Sequence, residues 1–310
     1  MNEITNTRHN EMIDPLLHVW GWEIPVYLFL GGLVAGMMII SGYFLFTGRN
    51  KEPKSASMIL PFICFILLSL GMLSLFLDLE HKLYVWRLYL TFEIASPMSW
   101  GSWILLLIYP ILIAGMIIGM PEKYIRKFAF LGRAREFLLA KKSRTIGLGL
   151  ITILFGVMLG IYTGVLLSAL GARPLWSTSI LWVLFLTSGL SGAAALVHMI
   201  AKDKYERELL ARGDNIFLSV ELLVIAMMLV SLLSTSEVHL NAAMLLINGK
   251  FALSFWVLVV GLGIVIPLII QLLAVTHKIK HTVVAPIMVI LGGLALRFII
   301  VGAGQYSYWF

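Results

Sequence analysis

Eight runs of about twenty apolar residues, at about 25–46, 57–78, 99–120, 145–168, 177–200, 215–235, 250–275 and 283–304, constrain this chain more than any other feature. A bilayer core takes roughly 20 residues of helix. Within hydrocarbon, only helices or closed barrels satisfy every backbone polar group. The runs therefore predict an all-α, polytopic transmembrane protein of about eight spans, with residues 1–310 forming a single integral membrane domain. Composition agrees: 60% of residues are hydrophobic and 13% charged, with mean hydropathy +0.96, an excess that no soluble domain carries. The interruptions GRNKEPK, the charged segment from Pro121 to Arg144, and KDKYERELLARGDN read as connecting loops. None is large enough for a water-soluble domain.

A net charge of +7 would suggest nucleic acid in a soluble protein. Here the cations lie between apolar runs and report topology instead. Seventeen of the 23 Lys and Arg residues fall in loops 1–2, 3–4, 5–6 and 7–8; five fall on the other side, and Arg297 lies within a run. The positive-inside rule then puts both termini outside. The first twenty residues are polar and lack a small-residue cleavage site, so a cleavable signal peptide is not expected and the first span directs insertion.

On this topology all nine tryptophans, Trp20, Trp22, Trp86, Trp100, Trp103, Trp176, Trp182, Trp256 and Trp309, belong to the outer side. Aromatic belts form at both interfaces, so one-sidedness points to a docking face there. The loop from Leu79 to Met98 is rich in aromatics and is expected to lie flat on the membrane or under a partner.

Ionisable side chains within a bilayer cost about 2.5–3.5 kcal/mol on insertion scales and are functional-site candidates by default. Trp22, Glu23 and Tyr27 stand at the start of the first span, Glu23 and Tyr27 sharing a face at i, i+4. Asp78 and His81 close the second span, also on one face if the helix continues, and Tyr162 sits in the outer part of the fourth. Three spans thus bring carboxylate, imidazole and phenol to similar depth. Quinol oxidation needs such groups: hydrogen bonds to two ring oxygens, and a base that passes protons to water. The bland alternative is that the carboxylates are wetted helix ends and the tyrosines belt residues. Glu221, His198 and Arg297 are the remaining polar groups in spans; they suit a proton path or, for Arg297, a structural ion pair. The lone Cys64 excludes a cysteine-ligated iron–sulfur cluster, only His198 is placed for axial haem ligation, and no metal-spaced set or phosphate loop occurs. The glycines of GGLVAG, residues 31–36, form a small-residue helix face.

Three stretches resemble the NrfD/PsrC family of polysulfide reductase-type membrane subunits: WGWEIPVYLFLGGLVAG from Trp20, the segment Asp78 to Trp103 with its SPMSWGSW, and YTGVLLS from Tyr162. The resemblance implies two small helical bundles in a bacterial or archaeal cytoplasmic membrane. It implies menaquinone or ubiquinone bound near the outer face, and no redox centre in the chain. It implies a ferredoxin-like iron–sulfur partner on that face, and beyond it a molybdopterin or multihaem cytochrome subunit. Tyr162 matches the family's quinone-contacting tyrosine and Asp78 an acidic residue ending the second span. The family's histidine on the first span aligns near Tyr27, and an asparagine near Glu23 or Ile24, so the sequence departs there. The expected function is exchange of electrons between quinone pool and iron–sulfur partner, with Asp78 or His81 receiving protons. Ion or proton translocation is the alternative. A solute transporter is expected to show internal repeats and broken midplane helices, and neither is visible.

Overall fold

A computed structural model describes residues 20–52, 54–276 and 282–308. Trp309, Arg8, His18, His277, His281 and both chain ends lie outside the described residues, so the termini-out expectation and the ninth tryptophan are not reached by it. Among the described residues there is no strand. Eight helices have membrane-crossing length and hydropathy: span 1, Glu23–Phe46; span 2, Leu60–Asp78; span 3, Pro97–Gly119; span 4, Lys142–Ser168; span 5, Leu181–Ile200; span 6, Lys204–Thr235; span 7, Ala252–Val275; and span 8, Val284–Gln305. Large apolar side chains such as Ile66, Leu73, Leu154, Leu223, Val230 and Leu291 point outward and exposed. Helices that are apolar all round belong in lipid.

Spans 1–4 form one bundle and spans 5–8 a second, joined where span 1 packs on spans 5 and 8 and span 4 on span 5. Lipid gives little hydrophobic drive between helices, so close approach of backbones must supply the contact. A side-chain carbon on Gly36 would strike the carbonyl of Gly189 and the methyl of Ala193, and one on Gly189 would strike Gly32. The GGLVAG stripe is thus the seam between the bundles.

One face of the molecule carries the basic loops. There Arg49, after span 1, pairs with Asp203 and with Glu206 at 3.4 Å, before and within span 6. The opposite, aromatic face is tied by Trp20 stacked on Trp176 at 5.2 Å. It is further tied by a backbone–amide pair between Trp20 and Gln305, and by Lys250 donating to Tyr306 Oη at 2.6 Å.

Several expectations change. KDKYERELLARGDN is not a loop but the opening of span 6, because Asp203 accepts from Glu206 N at 3.3 Å and the Lys, Glu, Leu and Ala that follow are strong helix formers. Glu221 therefore lies near the middle of that helix. The 121–144 connection holds two helices, Glu122–Lys127 and Ala129–Leu139, and a further one, Glu237–Ile247, follows span 6. Span 7 is irregular: its residues Phe255–Val265 wind as a π-helix where Gly263 meets Gly292 of span 8. Trp176 is buried at 3% exposure, its indole donating to the Ile300 carbonyl at 2.9 Å, so it is a core residue and not part of a docking face.

Candidate functional site

Span 1 begins with Glu23 and brings Tyr27 in one turn later, inside the aromatic end of the first bundle. Ser74 of span 2 donates to the Glu23 carbonyl at 2.9 Å. That contact sets the two helix ends side by side, with the carboxylates of Glu23 and Asp78 close enough to repel. Trp22 stands exposed beside them. Tyr27 is 2% exposed, and its hydroxyl has no hydrogen-bond partner. An orphaned hydroxyl in such surroundings costs about 1–3 kcal/mol. The phenol of Tyr162, from span 4, lies near enough to interact with it but outside hydrogen-bond geometry. Tyr162 owes its position to Gly101 of span 3, where a side chain would overlap the phenol ring.

Two tyrosines that sequence reasoning missed complete the cluster. Tyr89, on the short helix Arg87–Leu90, is half-buried and lies near both Tyr27 and Tyr162. Burial, and then the nearby Tyr109, push the Tyr89 phenol above the usual tyrosine range. Tyr109 packs edge-on to Phe65 at 5.4 Å and reaches Ser69 Oγ at 3.4 Å. Tyr89 also lines a cavity of about 400 Å³ between span 2 and the following loop, with Ser69, Met72, Phe76, Leu79, Val85 and Leu88 among its walls. The cavity is in the size range of small-molecule sites and nearly all apolar. A signal for Tyr89 exists in the aromatic character of its loop, but nothing in the sequence says that the loop folds back over span 2.

His81 does not join Asp78 on one helix face. Span 2 stops at Asp78 because Leu79 turns extended, and His81 is left exposed, edge-on to Tyr84 at 6.4 Å. The loop is held by Ser102 donating to Leu88 O at 2.8 Å and Trp100 Nε1 to Ile94 O at 2.8 Å. Trp86 and Trp100 remain exposed.

This arrangement belongs to a recognisable set of sequences. Residues 6–308 match the family described as polysulphide reductase, NrfD. The protein belongs to that family. It is 30% identical to the C subunit of polysulfide reductase from Wolinella succinogenes, over 93% of its own length and 94% of the relative. It is 28% identical to protein NrfD of Escherichia coli, over 93% and 96%, and 28% identical to the NrfD homolog of Haemophilus influenzae, over 93% and 95%. Membership and the eight spans together make it a multi-pass membrane subunit of a respiratory oxidoreductase complex.

The NrfD-family protein has a second polar cluster, in its other bundle. Arg297 is 1% exposed and donates to Phe185 O at 2.9 Å, to Gly293 O at 3.3 Å and to Ser188 Oγ, its guanidinium lying 4.6 Å from the Phe185 ring centre. Glu221, 3% exposed, accepts from Ser191 Oγ at 2.9 Å and faces the charge of Arg297. Arg297 is thus held by carbonyls and a hydroxyl, with the Glu221 charge nearby but outside direct ion-pair contact. Two turns before Glu221, Asp214 accepts from Gln271 Nε2 at 2.6 Å, with one oxygen of each side chain left without a partner. Sequence reading passed over Asp214, although its i, i+7 spacing from Glu221 puts both on one helix face. His198 is buried at the basic end of span 5. Among the described residues, no group of three His, Cys, Asp or Glu side chains is placed to hold a metal.

Proposed function

We propose that this protein is the quinol- or quinone-binding membrane anchor of its complex, exchanging electrons between the membrane quinone pool and an iron–sulfur subunit docked on the aromatic face. The observation that carries the reading is the buried, partnerless hydroxyl of Tyr27 beside Tyr162 and Tyr89, the last of which also lines an apolar cavity. Menaquinone or ubiquinone, when bound, supplies two-electron, two-proton chemistry. Tyr162 and Tyr27 would hold the ring oxygens by hydrogen bonds, with Tyr89 in reserve at the cavity wall. Asp78, half-exposed and repelled by Glu23, would take protons and pass them to water, His81 standing on the solvent side. The exposed Trp22, Trp86 and Trp100, with Leu83, Leu90, Phe92 and Ile94 of the same loop, offer the apolar centre of a protein interface. The basic loops favour an orientation with that aromatic face outside the cytoplasmic membrane and both termini with it. The test is purification of the intact complex: co-purifying quinone, an iron–sulfur spectrum, and quinol oxidation that Tyr162→Phe and Tyr27→Phe impair support the reading. Normal affinity and rate in both variants would sink it.

A second reading, ion or proton translocation, draws on the buried Glu221–Arg297 and Asp214–Gln271 groups, with His198 toward the basic face. Turnover in sealed vesicles with a pH-sensitive dye decides it, the expected signal being proton movement that Asp214→Asn abolishes while electron transfer continues.

A further inference from the structure

At the basic face, the ends of spans 1, 3 and 4 enclose a cavity of about 580 Å³, remote from the tyrosine cluster. Its lining has three cations, Lys51, Arg135 and Lys142, and no carboxylate. The adjacent Arg49 is neutralised by Asp203 and Glu206; none of the three lining cations has an acidic partner among the described residues. Arg135 comes from the amphipathic connector helix Ala129–Leu139 and is steadied by the Met120 carbonyl at 3.5 Å. Asn50 also lines the space: it is 8% exposed, and its side-chain amide makes no hydrogen bond within the described residues. The first turn of span 4, where Lys142 sits, has no side-chain cap and adds to the positive field. The remaining wall is apolar, and Phe46, 44% exposed, continues it onto the outside of span 1.

We propose that this cavity binds the phosphate group of an anionic phospholipid, with Lys51, Arg135, Lys142 and the Asn50 amide on the phosphate oxygens and the acyl chains along Phe46. A lining with three cations and no carboxylate selects an anion, and basic pockets between spans are sites for such headgroups. An apolar exit beside the helix ends selects an amphiphile over a free ion. A lipid held there bridges the connector helix to span 1, so it acts as a clamp on the first bundle. This inference does not rest on the quinone assignment.

Native mass spectrometry of the full-length protein in detergent, titrated with phosphatidylglycerol or phosphatidylcholine, tests it. The wild type should retain phosphatidylglycerol in preference. Lys51→Gln/Arg135→Gln/Lys142→Gln together should weaken that retention about a hundredfold, from the usual gain per Lys or Arg near anionic lipid. Lys123→Gln/Arg133→Gln/Lys202→Gln, which removes the same charge elsewhere on this face, should leave it near wild type. Equal loss in both triples makes the effect general surface charge and overturns the site. No preference for phosphatidylglycerol in the wild type, which needs no variant to fold, overturns it as well. Thermal protection by inorganic phosphate with none by phosphatidylglycerol overturns the lipid assignment.

Discussion

Gly101 of span 3 and Tyr162 of span 4 are in such close contact that no side-chain carbon fits between the glycine and the phenol ring. The absence of a side chain at one residue thus fixes the hydroxyl of another. Gly101→Ala should force the ring away, an overpacking change of about 1–3 kcal/mol. Tyr162→Phe keeps the ring and removes the one hydrogen bond proposed to the quinone, about 0.5–1.5 kcal/mol. The expected result is a larger rise in KM for quinol in the glycine variant, which still has every polar group, than in the phenylalanine variant. Steady-state quinol oxidation by the intact complex measures both.

Asp78 differs from the tyrosines in being half-exposed at a helix end, beside Glu23. Asp78→Asn preserves its shape and removes a proton acceptor. Turnover should fall more than quinol affinity, and Glu23→Gln should have the smaller effect on rate. A fall in affinity alone would make Asp78 a binding residue instead.

Tyr89 lies outside the spans, and burial raises its pKa. The folded protein therefore keeps a proton that the unfolded one gives up near pH 10. The associated stability is complete below that pH and is lost as pH rises beyond it toward the raised folded value. Tyr89→Phe should blunt the alkaline fall in thermal midpoint above about pH 10 and leave the midpoint at neutral pH little changed. Thermal melts of the detergent-solubilised protein across alkaline pH give the comparison.

Hydropathy made the eight helices legible, because lipid leaves few other ways to satisfy a backbone. It could not mark where span 6 begins, since Lys204–Asn215 is polar yet helix-forming and leaves the hydrophobic pattern silent. Glycine spacing at 31–36 revealed a seam without naming Gly189 as its partner. The shared depth of Tyr27, Tyr162, Glu23 and Asp78 in the candidate site was readable from their places along the helices. Tyr89 was not, because its place depends on how a loop is pinned by Ser99, Trp100 and Ser102. Whether His81 shares a face with Asp78 hinged on the helix continuing, and one residue, Leu79, ends it.

Glu206 is fully buried at the basic face, accepting from Ala56 N at 2.8 Å and from Arg49 Nε at 3.4 Å. It joins the first loop to the sixth span and thus one bundle to the other. Arg49→Ala leaves this carboxylate without its cation, and breaking a buried pair costs up to about 3–5 kcal/mol; partial exposure of Arg49 puts the expected loss in the lower part of that range. Glu206→Gln retains a hydrogen bond to Ala56 and should be milder. The order of thermal midpoints, wild type above Glu206→Gln above Arg49→Ala, is the check.

Glu221 and Arg297 offer the sharpest separation of structural from transport roles. Arg297 touches backbone carbonyls of spans 5 and 8 and the hydroxyl of Ser188, so its charge is solvated by the protein and balanced by Glu221. Removing Glu221 alone, as Glu221→Leu, leaves an unbalanced buried cation and should destabilise by about 3–5 kcal/mol. Arg297→Met alone should be comparably harmful. The double variant removes both charges and keeps apolar volume, so a structural pair predicts recovery of most of the lost stability, a large coupling in a double-mutant cycle. Stability is read from thermal midpoints and quinol oxidation from the intact complex. If the double variant is stable and oxidises quinol normally, yet moves no protons in vesicles where the wild type does, the pair is part of a proton route. If it is stable and still moves them, the pair is purely structural and any proton route does without it.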